Sequence, residues 1–318
     1  MFKFAVMSTY IVEVRDLIYE YPDFRALHDV NLEIEEGSVT ALVGPNGAGK
    51  TTLMRCIAAL TVPLNGSIWV DGINTTENPR EVHKRIGYLS DFYGLYDNLT
   101  AYQNLQFMAY AKDIPENEVE NRIQWIVTLL NMQEILQKKC KEMSRGQRQK
   151  TAIALSVIHK PKLALLDEPA SGLDPLARTQ LSEMIKNLAK EGITFVVSSH
   201  ILTELQDYSN HLIVIDKGRI IENKRLLAAT HAYGKRFQFK LSTPLEMNYI
   251  SEKLSKIPFI DLTSISTEDG IYYFTHTGSE EEQKNLLIHM VQMGLPISEL
   301  SEAQINIHNE YLKSLKKN

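Results

Sequence analysis

The stretch Gly44-Pro-Asn-Gly-Ala-Gly-Lys-Thr51 lies between the apolar run Val39 to Val43 and a segment, Thr52 to Leu60, that can form a helix. It fits the phosphate-loop pattern G-x-x-x-x-G-K-[ST], and a strand before with a helix after is the context that separates a nucleotide site from a chance match. Glycines at 44, 47 and 49 let the backbone turn tightly, so that successive N–H groups and the following helix terminus face phosphates. Lys50 brings a point charge to the outer phosphates, and the Thr51 hydroxyl is a ligand for magnesium. A Gly-rich turn without a ligand would not require a Lys-Thr pair at its end. The expected phosphate-binding set is Gly44, Pro45, Asn46, Gly47, Ala48, Gly49, Lys50, Thr51 and Thr52.

Outward from this loop, short apolar runs at Ile11 to Ile18, Ile68 to Val70, Ile86 to Leu89, Leu163 to Leu166, Ile193 to Val197 and Leu212 to Ile215 read as strands. Segments with helical periodicity stand between several of them, among them Ala101 to Ala111, Gln147 to Ile158 and Leu176 to Lys190. Alternating strands and helices predict an α/β core with a largely parallel sheet, whose ligands sit beyond the carboxyl ends of the strands. After Arg219 the order becomes strand, helix, strand, strand, helix, strand. Arg236 to Leu241, Leu245 to Ser255, a hairpin of Phe259 to Ile265 and Ile271 to Thr275 around Asp269-Gly270, Glu280 to Met293 and a strand near Ile297 make a small ferredoxin-like unit, with a further helix from about Gln304.

Leu163-Ala-Leu-Leu-Asp167-Glu168 is an apolar strand ending in two carboxylates. A buried strand delivers Asp167 to a magnesium shell, and Glu168, one residue on, can polarise a water aimed at a γ-phosphate. In isolation a strand ending in solvated acids is common; after a phosphate loop in the same chain the functional reading is favoured. Met143-Ser144-Arg145-Gly146-Gln147 opens the helical segment Gln147 to Ile158 and offers hydroxyl and backbone donors to an anion, a second phosphate-binding surface. One phosphate loop has no use for two helix termini on its own γ-phosphate, so a second copy of the chain is the natural recipient.

Together these motifs resemble the ATP-binding cassette (ABC) ATPases over roughly residues 10 to 220. Met143 to Gln147 looks like the family signature LSGGQ, Ser171-Gly172-Leu173-Asp174 matches its D-loop, His200 in Ser198-Ser199-His200 matches its switch histidine, and Tyr21 stands where the family places an aromatic that stacks on adenine. The resemblance implies a RecA-like P-loop NTPase core with antiparallel β and α-helical subdomains. It also implies a head-to-tail dimer closing on two ATP molecules, with Glu168 as general base, His200 on the γ-phosphate and Asp174 coupling the two sites. Ser144, Arg145, Gly146, Gln147 and Asp174 join the nucleotide-contacting set on the same ground. Two departures stand out. Ile86-Gly-Tyr-Leu-Ser-Asp91 ends in Asp where the family usually has Gln, and a carboxylate there can ligate magnesium, so Asp91 is expected to act with Thr51 and Asp167 on the metal and to take part in catalysis. Arg145 replaces the first glycine of the signature and adds a cation near the phosphates, while Met143 for Leu is a tolerable apolar exchange.

At 318 residues the chain is long enough for one large domain and one small one, and 44% hydrophobic with 23% charged residues is ordinary globular composition. The expected division is a leader at 1–9, the ATPase domain at 10–225 and an accessory domain at 236–318. No run approaches the roughly 18 to 20 apolar residues that a bilayer helix needs. Met1 to Val6 is too short for the apolar core of a secretory signal, and Met7 is an alternative start. Cys56 and Cys140 match no metal-ligand spacing. A net charge of −5 gives no reason to expect nucleic acid, and the basic tail Lys313 to Lys317 reads as a solvated helix end.

The leading expectation is the ATP- and magnesium-dependent ATPase subunit of a membrane transporter, paired with itself or a related ATPase. It would sit at the cytoplasmic face of the cell membrane through a separate multispanning subunit. A helical subdomain from about Asp91 to Lys160 would dock that partner. The text Gly94-Leu-Tyr-Asp-Asn-Leu-Thr-Ala-Tyr-Gln-Asn-Leu105 and the small C-terminal domain resemble bacterial exporter ATPases. The alternative is a non-transport ABC ATPase acting on ribosomes or DNA. One cassette per chain and only 94 positions between Lys50 and Ser144 disfavour it, because ribosome-acting members carry two cassettes and repair members insert a long coiled coil. A small-molecule kinase would leave the signature and the D-loop unexplained. The C-terminal unit shows no metal cluster or nucleophile pattern and reads as a regulatory module or as added interface.

Overall fold

The computed structural model describes residues 10–90, 94–200, 205, 208–226, 235–268 and 270–303, divided into two compact units between residues 226 and 227. In the first unit, β1 (Tyr10–Tyr21) and β2 (Phe24–Glu35) form a long antiparallel hairpin, and β3 (Val39–Val43) runs through the phosphate loop into α1 (Lys50–Ile57). β4 (Asn65–Val70) and the short β5 (Ile73–Asn74) complete a sheet of order β2-β1-β4-β5. Next come α2 (Pro79–Arg85), β6 (Ile86–Leu89) and three helices, α3 (Ala101–Ala111), α4 (Glu116–Leu129) and α5 (Arg145–Val157). β7 (Leu163–Leu166), α6 (Pro175–Lys190), β8 (Thr194–Ser199), β9 (His211–Asp216) and β10 (Arg219–Arg225) finish the unit.

The second sheet has the order β10-β9-β3-β8-β7-β6 and is parallel except for the edge strand β10. Strands covered on both faces must be apolar throughout, and every residue of β3, β7 and β8 is buried. The main core lies between the two sheets around α1, where Leu53, Met54 and Ile57 meet Leu17, Leu27, Ile34 and Ile68 from the antiparallel sheet and Leu42, Leu165, Val196 and Ile213 from the parallel one.

Strand β2 is absent from the sequence expectation, and its physics says why. Asp16 and Asp29, one in each strand, both have positive φ (49 and 50), and the pairing register shifts between Val14 and Tyr19. The buried residues Leu27, Val30, Leu32 and Ile34 therefore lose the strict alternation that marks a strand.

Among the helices, α3 packs on α4 and on α5. The fully buried Asn104 of α3 fixes the chain leading into that helix: its side-chain amide donates to the carbonyls of Tyr96 and Thr100 at 3.2 and 2.9 Å and its oxygen accepts from Tyr96 N–H at 2.9 Å. Three residues of the stretch 94–105, Tyr96, Thr100 and Asn104, thus have a structural role of their own.

Behind α5, the His159 Nε2 lies 3.1 Å from the Ile86 carbonyl, which can only accept, so Nε2 carries the proton and the buried Nδ1 is bare, with no partner among the described residues. Burial, reinforced by the nearby Lys112, pushes this imidazole down from 6.5 to about 4. A proton then binds the unfolded chain more readily than the folded one. Between pH 6.5 and about 4 the folded state accordingly loses stability as pH falls, on the order of 3 kcal/mol from this residue. His159→Gln, which keeps a donor for Ile86, is expected to flatten that acid limb in chemical denaturation measured at pH 7 and pH 5; an unchanged slope would remove His159 as its source.

The second unit is β11 (Lys235–Leu241), α7 (Met247–Leu254), β12 (Ile260–Glu268), β13 (Ile271–His276), α8 (Glu280–Lys284), α9 (Leu286–Gln292) and β14 (Ile297–Glu302). Its sheet has the order β12-β13-β11-β14 with antiparallel pairing throughout, the split βαβ arrangement. Phe239 and Phe274 pack on Ile250, Leu254, Leu286 and Met290 from the helices. The opposite face is polar, with Arg236 over the Tyr273 ring at 5.2 Å and Lys240 paired to Glu299 at 2.6 Å. The single helix expected over Glu280 to Met293 is two, broken at Asn285, whose φ of −90 and ψ of −2 leave the helical ladder; asparagine offers the backbone competing hydrogen bonds at such a break. The leader at 1–9, Asp269 of the expected hairpin turn and the segment from Gln304 with its basic tail lie outside the described residues.

Candidate functional site

The floor of the phosphate loop is built by strands far away in sequence. β3 pairs in parallel with β8 and β9, bringing the loop against the end of β9. A Cβ at Gly44 would fall 2.1 Å from the Ile215 carbonyl oxygen, so only glycine fits where the loop leaves β3. On the other side, Gly218 N–H donates to Ala48 O at 2.9 Å, and Gly218 O accepts from His28 N–H at 2.8 Å. The turn after β9 thereby joins the loop to β2. Lys50 opens α1 and is buried. Its ammonium donates to Gly44 O at 2.7 Å and Pro45 O at 3.2 Å and lies 3.6 Å from Glu168 Oε1.

Both carboxylates stand at the end of β7. Asp167 is 2% exposed, its N–H extends the ladder to Leu89 O at 2.8 Å, and its Oδ1 accepts from Ser198 Oγ at 2.6 Å. The same hydroxyl accepts from Glu168 N–H at 2.8 Å. Ser198 thus locks the two acids relative to each other. Sequence reading passed over it; the signal was its place at the end of the strand beside β7. Glu168 sits at φ 49, a left-handed conformation that costs a non-glycine residue about 1–3 kcal/mol and persists where the surroundings impose it. Its Oε2 lies 2.7 Å from His200 Nδ1, so Lys50, Glu168 and His200 form one chain of charge-assisted contacts across the site.

These groups line a cavity of about 690 Å³. Asn46 to Thr52 form one wall, Asp167, Glu168, Ser171 and His200 another, and Tyr21, Phe24 and Ala26 close one side. Tyr21 is held by its hydroxyl, 3.3 Å from Thr52 Oγ1, and its ring stacks on Phe24 at 5.1 Å. Phe24, 59% exposed, is a second aromatic that the sequence reading did not single out. No cluster of three His, Cys, Asp or Glu side chains suited to a metal gathers among the described residues. Asp167 and the Thr51 hydroxyl remain as a hard oxygen pair on the cavity wall. Such a sparse set suits magnesium, which keeps waters and takes further oxygens from substrate phosphates. Asp91, the third expected ligand, lies outside the described residues.

The helix terminus expected to be a second anion-binding surface is also formed. Ser144 caps α5, its Oγ accepting from Gln147 N–H at 3.3 Å while Gln147 Oε1 accepts from Ser144 N–H and from Lys138 Nζ, both at 3.1 Å. Asp174 caps α6, accepting from Ala177 N–H at 2.8 Å with Pro175 at the first helical position. Ser144, Gly146, Gln147 and Asp174 do not line the cavity of their own chain, whereas Arg145 and Gln149 do. Arg145, expected as a cation beside phosphates, lines the cavity, and its Nη2 also donates to Ser171 O at 2.7 Å, because the helix start faces the loop that follows Glu168.

Comparison with known proteins agrees with this geometry. The family model described as ABC transporter matches residues 27–171, and one described as AAA domain, putative AbiEii toxin, Type IV TA system, matches residues 140–206. The chain is 40% identical over 198 residues to the ABC transporter ATP-binding protein NatA of Bacillus subtilis, covering 62% of this chain and 80% of that one. It is 29% identical over 309 residues to the bacitracin transport ATP-binding protein BcrA of Bacillus licheniformis, covering 96% of this chain and 97% of that one. Among solved structures, the dimeric, post-hydrolysis ATP-binding cassette MJ0796 bound to ADP and Pi superposes with a TM-score of 0.61 at 25% identity, over 68% of this chain and 99% of that one.

Proposed function

We propose, for a chain that belongs to the ABC transporter ATP-binding proteins, that two copies close head to tail on two ATP molecules and drive export through a separate membrane subunit. The chain is an ATPase. In this reading each ATP lies between the phosphate loop of one copy and the capped start of α5 of the other. The observation that carries it is that Ser144, Gly146 and Gln147 form a complete helix terminus yet stay off the cavity that holds Lys50 and Glu168. A second chain gives that terminus its phosphate.

Within each site Lys50 exchanges its carbonyl acceptors for phosphate oxygens, and Asp167 with Thr51 holds magnesium, joined by Asp91. Magnesium, when held there, would supply positive charge to neutralise the phosphates. Glu168 takes the proton of the attacking water, His200 donates to the γ-phosphate, and Asp174 contributes from the D-loop to communication between the sites. Tyr21 packs on adenine, an aromatic face being suited to any base.

No described helix is long and apolar enough to cross a membrane, and the family likeness assigns passage of cargo to a separate membrane subunit. A groove lined by Ala58, Leu60, Tyr88, Met108 and Leu155 and rimmed by Arg80, Lys84 and Lys112 is where a cytoplasmic segment of the membrane subunit would dock. That docking places the ATPase at the inner face of the cell membrane. Export rests on the resemblance of residues 94–105 to exporter ATPases and on the alignment with BcrA through the C-terminal unit.

Ser144→Glu tests the sandwich, since it sets a carboxylate opposite the partner's γ-phosphate. Light scattering with ATP and magnesium, hydrolysis being blocked, is expected to show dimers for the parent and monomers for the variant. Undiminished dimer in the variant would overturn the arrangement.

A further inference from the structure

Arg145 occupies a position where the resemblance implies glycine, and its contacts give it a defined task. It is the first residue of α5, immediately after the capping Ser144. Its Nη2 donates to Ser171 O at 2.7 Å, and its guanidinium lies flat on Gly172. A Cβ at Gly172 would stand 2.4 Å from both Cζ and Nη1 and push the guanidinium aside, and the φ of +66 calls for glycine in the turn. Ser171 N–H in turn donates to Glu168 O at 3.1 Å, closing the turn that carries the acid. A continuous path therefore runs from the start of α5 through Arg145, Ser171 and Gly172 to Glu168, and on to His200 and Lys50.

We infer that Arg145 is a positioning residue for cooperativity, tying the phosphate-binding start of α5 to the turn that sets Glu168 in the same chain. The inference rests on the sandwich reading above. In that arrangement α5 touches the nucleotide of one site and Glu168 serves the other. A nucleotide that draws α5 into place pulls on Ser171 through the guanidinium and moves the acid of the second site. Binding at one site and proton abstraction at the other then share one mechanical element with two positions, which is the physical content of coupling between sites. Guanidinium suits the task because its planar fork reaches a carbonyl while its face rests on the backbone, which a lysine ammonium cannot match.

The test uses the full-length chain and reads ATP hydrolysis against ATP concentration, with nucleotide-driven dimerisation followed in parallel. The parent is expected to show a Hill coefficient approaching about 2, the ceiling for two sites. Arg145→Gly should bring it to about 1 and lower kcat, with the half-saturating ATP concentration moving less than about threefold. Arg145→Lys should recover part of the cooperativity. Gly172→Ala displaces the guanidinium and also strains the turn at φ +66, so it should lose at least as much cooperativity as Arg145→Gly, and the Arg145→Gly, Gly172→Ala double variant should lose less than the sum of the two, since both remove the same contact. Dimerisation with ATP in Arg145→Gly together with an unchanged Hill coefficient and kcat would overturn the inference alone. Additive losses in the double variant would also overturn it. Failure of the parent to dimerise with ATP would remove the sandwich and this inference together.

Discussion

Glu168→Gln retains ATP binding and loses turnover by about 10²- to 10⁴-fold, the usual worth of a general base. Glutamine keeps the shape of the side chain and an oxygen within reach of Lys50, 3.6 Å away in the parent, and of His200 at 2.7 Å. The amide does not take up the proton of the attacking water. Because hydrolysis is what separates two chains closed on nucleotide, the variant accumulates as an ATP-bound dimer. Phosphate release and size-exclusion chromatography with ATP and magnesium measure the two halves of this result. Turnover within tenfold of the parent would take Glu168 out of the role of base.

Lys50→Ala fails at the earlier step. The ammonium is the cation nearest Glu168 in the loop, and it also satisfies Gly44 O and Pro45 O from within a buried position. A charge-assisted hydrogen bond of about 1.5–3 kcal/mol corresponds to a roughly ten- to hundredfold weaker Kd for ATP. Titration with a fluorescent ATP analogue reads this directly. Affinity equal to the parent's would contradict the assignment of the loop to phosphates. The two variants thus separate binding from turnover, one losing what the other keeps.

How far these residues could be recognised beforehand depends on the range over which their roles are set. Strands β3, β7 and β8 were plain because burial on both faces makes a strand a continuous apolar run. Asp167 and Glu168 were plain because one such run ends on them. Strand β2 was hidden by its bulge, which breaks the alternation at Asp29. Ser198 was hidden because its meaning lies in a neighbouring strand, not in its own segment. Arg145 was noticed as an exception, but its hold on Ser171 was not, since nothing in local sequence shows that a guanidinium also reaches the backbone 26 positions onward. Phe24 was overlooked for a simpler reason: one exposed aromatic at the start of a strand has no pattern, and only stacking against Tyr21 gives it a place at the site.

The turn at Gly218 carries a temporal consequence. The N–H that supports Ala48 and the carbonyl oxygen beside Gly44 belong to residues some 170 positions downstream of the loop they shape. During vectorial synthesis the nucleotide pocket therefore stays unfinished until the ribosome has released the chain well past residue 218, and helices completed earlier wait for their floor. Nascent or truncated fragments ending before that turn possess the full phosphate-loop text without the cradle, so that competence for ATP reports completion of the whole cassette.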